Sequence, residues 1–230
     1  WNSDVILLEI DDESYRLLPE PYPYPRGNVW SRVIMNLTKA GAKVIAFDIQ
    51  FDSEDHTTRA IENSISDECK ECFYIDQDSE FISSIIFAKD NGTKVVLASK
   101  IGFEPTRIPS DYIVMPLEKI MTDAIPSIGL VDHEVDAIDN VSRRYTVFTS
   151  IPSLPDKKII SFGVQSVLSF LDMDDTIFIK EDLSNDIINI NGLSIKAFRK
   201  EASFLMNYYG PVSSIYNTFP RYSLSQVIDN

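Results

Sequence analysis

Apolar positions along this chain follow two periods. Residues 5–10 (VILLEI) and 43–48 (KVIAFD) are short, nearly unbroken apolar runs, the pattern of parallel strands covered on both faces. Between them Val29, Trp30, Val33, Ile34 and Leu37 recur at helical spacing, and Gly41 stands where a helix over 26–40 would end. Phe81, Ile82, Ile85 and Ile86 mark a second amphipathic helix over 79–90. Asn91-Gly92 closes it, and a third apolar run follows at 94–99 (KVVLAS). Strand, helix and strand in this order predict a right-handed βαβ unit with the runs at 5–10 and 43–48 as parallel neighbours.

The second half reads differently. Residues 103–127 hold four prolines and little periodicity, which predicts a long loop. Residues 128–131 and 144–149 read as two strands around an acidic turn at 136–140. Ile160, Val164, Val167, Leu168 and Leu171 form a third helical stripe. Within 187–195, Asn191-Gly192 separates two alternating runs, the strongest short-range hairpin signal. A strand at 204–208 runs up to Gly210-Pro211, and Ser223 with Gln226 suggests a capping box that opens a last helix at 224–228. The expected class is α/β: a central, mostly parallel sheet in the N-terminal half flanked by helices, then an antiparallel, β-rich C-terminal half. No repeat or linker divides the chain, so a single domain over 1–230 is expected.

Charge narrows the partners. The net charge is −14, and a phosphate backbone needs the opposite sign, which argues against nucleic acid and against anionic lipid heads. Ten acidic residues against Arg59 and Lys70 fill residues 52–80, and the stretch at about 53–77 reads as a solvated acidic insertion. With 44% of its residues hydrophobic and 11% of all residues aromatic, the chain can still bury a sizeable core. No run reaches the roughly 18–20 apolar residues of a membrane span. The start at Trp1, without Met, has the look of an excised domain. Cys69 and Cys72, the only cysteines, read as a loop disulfide in an oxidising compartment or as two free thiols.

Candidate chemistry sits where the first two strands end. Asp11 and Ser14 follow the first, and Asp48 and Asp52 close the second. Carboxylates at the carboxyl ends of neighbouring parallel strands converge on the edge where open α/β sheets place their sites. Facing carboxylates need a cation between them. Asp11, Asp48 and Asp52 would suit a divalent ion such as Ca²⁺ or Mg²⁺, which takes oxygen ligands. Arg26 is the alternative, gripping a carboxylate at two points, with Ser14 then a helix cap. Arg143 and Arg144 point to opposite faces of a strand, and Arg144 is taken as the one that looks toward the acidic edge. Tyr208 either packs with its hydroxyl on the backbone or walls a pocket.

Four stretches in order carry a family resemblance. They are VILLEIDDES at 5–14 with Tyr24-Pro25-Arg26; Gly41-Ala42-Lys43-Val44-Ile45-Ala46-Phe47-Asp48; Asp139-Asn140-Val141-Ser142-Arg143-Arg144; and Met206-Asn207-Tyr208-Tyr209-Gly210-Pro211. Together they resemble the second type of CHASE domain, the cyclase- and histidine-kinase-associated sensory extracellular domain. The chain departs from that pattern in Tyr22 and Tyr24, where the family often has tryptophan, in Asn140 for a glycine, and in the acidic insertion. The resemblance implies an extracytoplasmic, periplasmic or extracellular sensory domain of a membrane-anchored bacterial receptor. It would bind a small molecule or ion and pass a conformational signal through membrane helices to a cyclase or kinase, commonly as a homodimer. The isolated domain is then expected to be non-catalytic. The competing reading from the residues alone is a metal-dependent phosphohydrolase using the strand-end aspartates. Against it, the chain lacks an Asp-x-Asp-x-Thr arrangement.

Overall fold

A computed structural model describes residues 4–58, 76–132, 139, 141–174, 176–182, 184–207 and 219–228. Its centre is the ten-residue strand β3, Lys94–Phe103, reached after β1 (Leu7–Glu9) and β2 (Val44–Phe47). The first half of β3 pairs in parallel with β2, Val44 opposite Lys94 through Phe47 opposite Leu97. It also pairs in parallel with β5 (Ser127–Leu130), Val96 opposite Ser127. The second half pairs antiparallel with β4 (Asp111–Val114). The unbroken apolar run KVVLAS follows from this position, because a central parallel strand is covered on both faces.

One face of the sheet is closed by α2 (Ser31–Lys39) and α3 (Gln77–Asp90). Ile45, Phe47, Val95 and Leu97 meet Ile34 of α2 and Phe81 of α3 in the larger hydrophobic core. Both helices end on a glycine with positive φ, Gly41 at 86° and Gly92 at 80°. The amides of Ala42 and Thr93 then reach back to the carbonyls of Leu37 and Ala88 at 3.0 and 2.9 Å, which satisfies orphan carbonyls and turns the chain into β2 and β3. The segment ahead of α2, Arg26–Trp30, is a π-helical turn.

The opposite face is closed by α5 (Phe162–Phe170), which follows α1 (Asp12–Leu17) and α4 (Glu118–Asp123) in chain order. Its start lies so close to the sheet that a Cβ at Gly129 of β5 would come within 2.5 Å of the Phe162 Cα. After α5 the chain crosses to Asp174, whose carboxylate accepts from Lys94 Nζ at 2.5 Å and from Ser127 and Ser169 Oγ at 2.8 Å each. Burial works against ionising both groups, and these bonds outweigh it. The Asp174 pKa is lowered and that of Lys94 raised. This junction fastens the β-rich half to the amino edge of the parallel sheet.

The C-terminal half is antiparallel. β9 (Ile179–Asp182), β10 (Ile187–Ile190) and β11 (Leu193–Lys196) form one sheet, with β10 in the middle. Its β10–β11 turn is Asn191-Gly192, both at positive φ, as a two-residue hairpin requires. β6 (Arg144–Thr146) pairs with β12 (Ser203–Leu205), and β7 (Phe148–Ile151) with β8 (Leu154–Ile160). Val147, Phe148, Val164, Leu168, Ile188 and Ile190 lie in a second core.

Three expectations are corrected. β1 does not lie beside β2; it pairs in parallel with β13 (Arg221–Ser223), Leu8 opposite Tyr222, in a sheet of two strands. Leu7, and Val5 and Ile6 just ahead of the strand, are exposed. The expected loop at 103–127 contains β4 and α4. The single strand expected at 144–149 is split into β6 and β7, with β6 on β12, while the strand expected at 128–131 is β5, on β3. The last helix, α6 (Leu224–Ile228), falls where the sequence placed it. Among the described residues no helix is long and apolar enough to cross a membrane.

Candidate functional site

The two acidic strand ends go to separate places. Asp11 follows β1 and caps α1. Its Oδ1 accepts from the Ser14 amide at 2.9 Å and the Ser14 hydroxyl at 2.7 Å, while the Asp11 amide faces the Ser14 hydroxyl at 3.4 Å. The same Oδ1 accepts from the Ser223 hydroxyl at 2.7 Å. Ser223 in turn contacts Ser14 Oγ at 3.0 Å and Ser225 Oγ at 2.8 Å. These three serines are buried. The hydroxyls of Ser223 and Ser14, with the Ser14 amide, hold the Asp11 pKa down to about 2. Glu9 adds an ion pair to Arg221 across the same strand pair. β1–α1 and β13–α6 are thus clasped through an anion surrounded by hydroxyl and amide donors. The outer end of the clasp is tied to α2, where Arg32 and Asn36 donate to the carbonyls of Ile228 and Val227 at 2.8 and 2.7 Å.

Asp48 and Asp52 stand elsewhere. Both are exposed, and Asp52 lies 3.9 Å from Lys100 Nζ. Parallel pairing of β1 with β2 was what would have brought Asp11 to them, and that pairing does not form. Among the described residues no three His, Cys, Asp or Glu side chains come together as a metal site.

Arg26 does bind a carboxylate, that of Asp78 rather than of a strand-end aspartate. The buried guanidinium pairs with Asp78 in the first turn of α3 and donates to the Ser53 carbonyl at 2.5 Å. It lies 5.2 Å from the centre of the Phe51 ring. The Arg26 amide donates to Asp55 Oδ2 at 2.9 Å, and the Asp55 amide donates to Asp78 Oδ2 at 3.0 Å. Gln77 accepts from the Asn28 amide at 2.9 Å. Asp55, Asp78 and Gln77 are all buried. The π-helical turn is therefore held by a closed polar network against the start of α3. In the sequence Asp55 and Asp78 look like any other members of the acidic run at 52–80.

Arg144 pairs with Glu201 at 2.6 Å, while Arg143 forms a two-point pair with Asp139, one bond of it at 2.9 Å. Tyr208, Cys69 and Cys72 lie outside the described residues.

Comparison with known proteins adds one positive finding. The family model described as CHASE2 domain matches residues 1–230, the whole chain. No curated protein and no solved structure matches the sequence.

Proposed function

The chain belongs to the CHASE2 domain family, sensory extracellular domains of signalling receptors, and from that premise we propose that it senses a small molecule or ion outside the membrane and reports it through its β1–β13 clasp. It is a sensory rather than a catalytic domain. In this reading the domain sits in a bacterial membrane receptor, works as a homodimer, and drives a cyclase or kinase across the membrane.

The observation that supports the clasp as the reporting element is its construction. The first and last strands are three residues each and meet side by side in parallel, joined by Asp11, Ser14, Ser223 and Glu9–Arg221. A two-stranded sheet is marginal without support. Its closure is therefore the kind of equilibrium that a ligand with different affinity for two states can shift.

The test is made in the full-length receptor. Ser223→Ala with Asp11→Ala loosens the clasp, and Leu8→Cys with Tyr222→Cys, oxidised, locks it. The expected result is basal output moved in opposite directions, by about tenfold for each 1.4 kcal/mol of shifted equilibrium. Output indifferent to both changes overturns the clasp as reporter. A topology reporter fused at the domain that reads cytoplasmic overturns the placement.

A further inference from the structure

Beside the clasp lies a group of tyrosines with one unusual member. Tyr15 on α1 is 54% exposed and Tyr22 is 58% exposed, while Tyr24 beneath them is 3% exposed. Ring centres are 5.7 Å apart for Tyr15–Tyr22 and Tyr22–Tyr24 and 6.3 Å for Tyr15–Tyr24. Tyr24 continues into the core through Trp30, 6.1 Å away. The Tyr24 hydroxyl is buried and has no hydrogen-bond partner among the described residues.

A buried hydroxyl without a partner costs stability, and a tyrosine in such a place normally finds one. Burial raises the Tyr24 pKa, and Tyr15, Asp11, Glu20 and Tyr22 raise it further. Two of these four are carboxylates. All the bonds that Ser14 and Ser223 make to Asp11 end on Oδ1. Two exposed aromatic faces, an orphaned hydroxyl oxygen and nearby carboxylates describe one complementary chemistry. It is a positive nitrogen that still carries hydrogens, on a chain of methylenes.

Resting on the sensory reading above, we propose that this tyrosine group is a binding site for alkyl diamines and polyamines. The ammonium donates to Tyr24 Oη, the methylenes lie on Tyr15 and Tyr22, and Asp11 and Glu20 supply the countercharge. Entry requires one exposed ring to swing outward. Tyr22, the more exposed of the two, serves as that cover.

The test is calorimetric titration of the 230-residue chain with putrescine and spermidine, followed also by tyrosine fluorescence. The expected result is saturable binding that weakens at least tenfold in Tyr24→Phe. That variant keeps the fold and melts at the same temperature or higher, because it deletes only the orphaned oxygen. Tyr15→Leu with Tyr22→Leu retains every charge and is expected to abolish binding. Tetramethylammonium, which has no N–H, is expected to bind at least tenfold more weakly than putrescine. Equal affinity for tetramethylammonium overturns the donor role. Binding unchanged in Tyr24→Phe or in the double leucine variant overturns the site, showing only attraction to an acidic protein. No binding at millimolar polyamine overturns the ligand class and leaves the clasp experiment standing by itself.

Discussion

Replacing Arg26 by methionine keeps most of its volume and removes its charge. Three consequences follow from its contacts. Asp78 loses its ion pair inside the protein, the Ser53 carbonyl loses a donor, and the Phe51 ring loses a cation 5.2 Å from its centre. Breaking a buried pair from one side costs about 3–5 kcal/mol, because the charge left behind is neither solvated nor matched. For a domain of this size that corresponds to a melting temperature lower by about 6–20 °C. Asp78→Leu is expected to cost a similar amount, since it strands the guanidinium and also the Asp55 amide that Asp78 accepts from at 3.0 Å. The double variant Arg26→Met/Asp78→Leu leaves neither charge stranded. Its loss is expected to fall short of the sum of the single losses by about 1–3 kcal/mol, the usual coupling of residues in contact. Urea unfolding of the four proteins at pH 7 measures this cycle. A single Arg26→Met cost below about 1 kcal/mol, or strict additivity, would show that the network does not hold the π-helical turn.

Two further outcomes are expected. Gly129→Ala places a methyl 2.5 Å from the Phe162 Cα and 3.1 Å from its nitrogen; backbone cannot yield as a side-chain end can, so a loss of about 1–3 kcal/mol in thermal or urea unfolding is expected, and an unchanged melting temperature contradicts the close approach. Asp11 has a folded pKa of about 2 against 3.8 for the free group, so its stabilisation is complete above pH 3.8 and disappears as pH falls toward about 2. The stability gap between the native chain and Asp11→Asn, about 1 kcal/mol after solvent screening, is expected to stay constant from pH 7 to 5 and to close below 3.8. A gap that widens on acidification, measured by urea unfolding at several pH values, refutes the assignment.

Much of the N-terminal half is legible without coordinates because its signals are local. The helical stripe of Val29, Val33 and Ile34, the Gly41 and Gly92 stops and the run KVVLAS each depend on neighbours within a few residues. The structure places α2, α3 and β3 accordingly. The Asn191-Gly192 hairpin is legible for the same reason. The candidate site is less so. Ser14 is found at a helix cap, one of the two roles considered for it. Arg26 is found on a carboxylate, but the partner is Asp78, 52 residues away and set within an acidic run that looks solvated. Tyr15 carries no signal in the sequence. Its meaning comes from lying 5.7 Å from Tyr22, over a hydroxyl with no partner among the described residues.

By itself the sequence determined the class of fold, the family and the apolar strands at 43–48 and 94–99, since periodicity and ordered motifs are properties of a chain read in one dimension. Only the tertiary structure decided which strand lies beside β1 and therefore what Asp11 does. Both the strand run at 5–10 and the one at 43–48 present similar apolar edges, and nothing local distinguishes a pairing with β2 from one with a strand more than two hundred residues away. The choice falls to β13, where Ser223 meets Asp11 across 212 residues of chain. In the folded chain that contact goes with α6 packed against α2, where Arg32 and Asn36 hold the carbonyls of Ile228 and Val227. The Asp11 carboxylate thereby joins the first strand to the last.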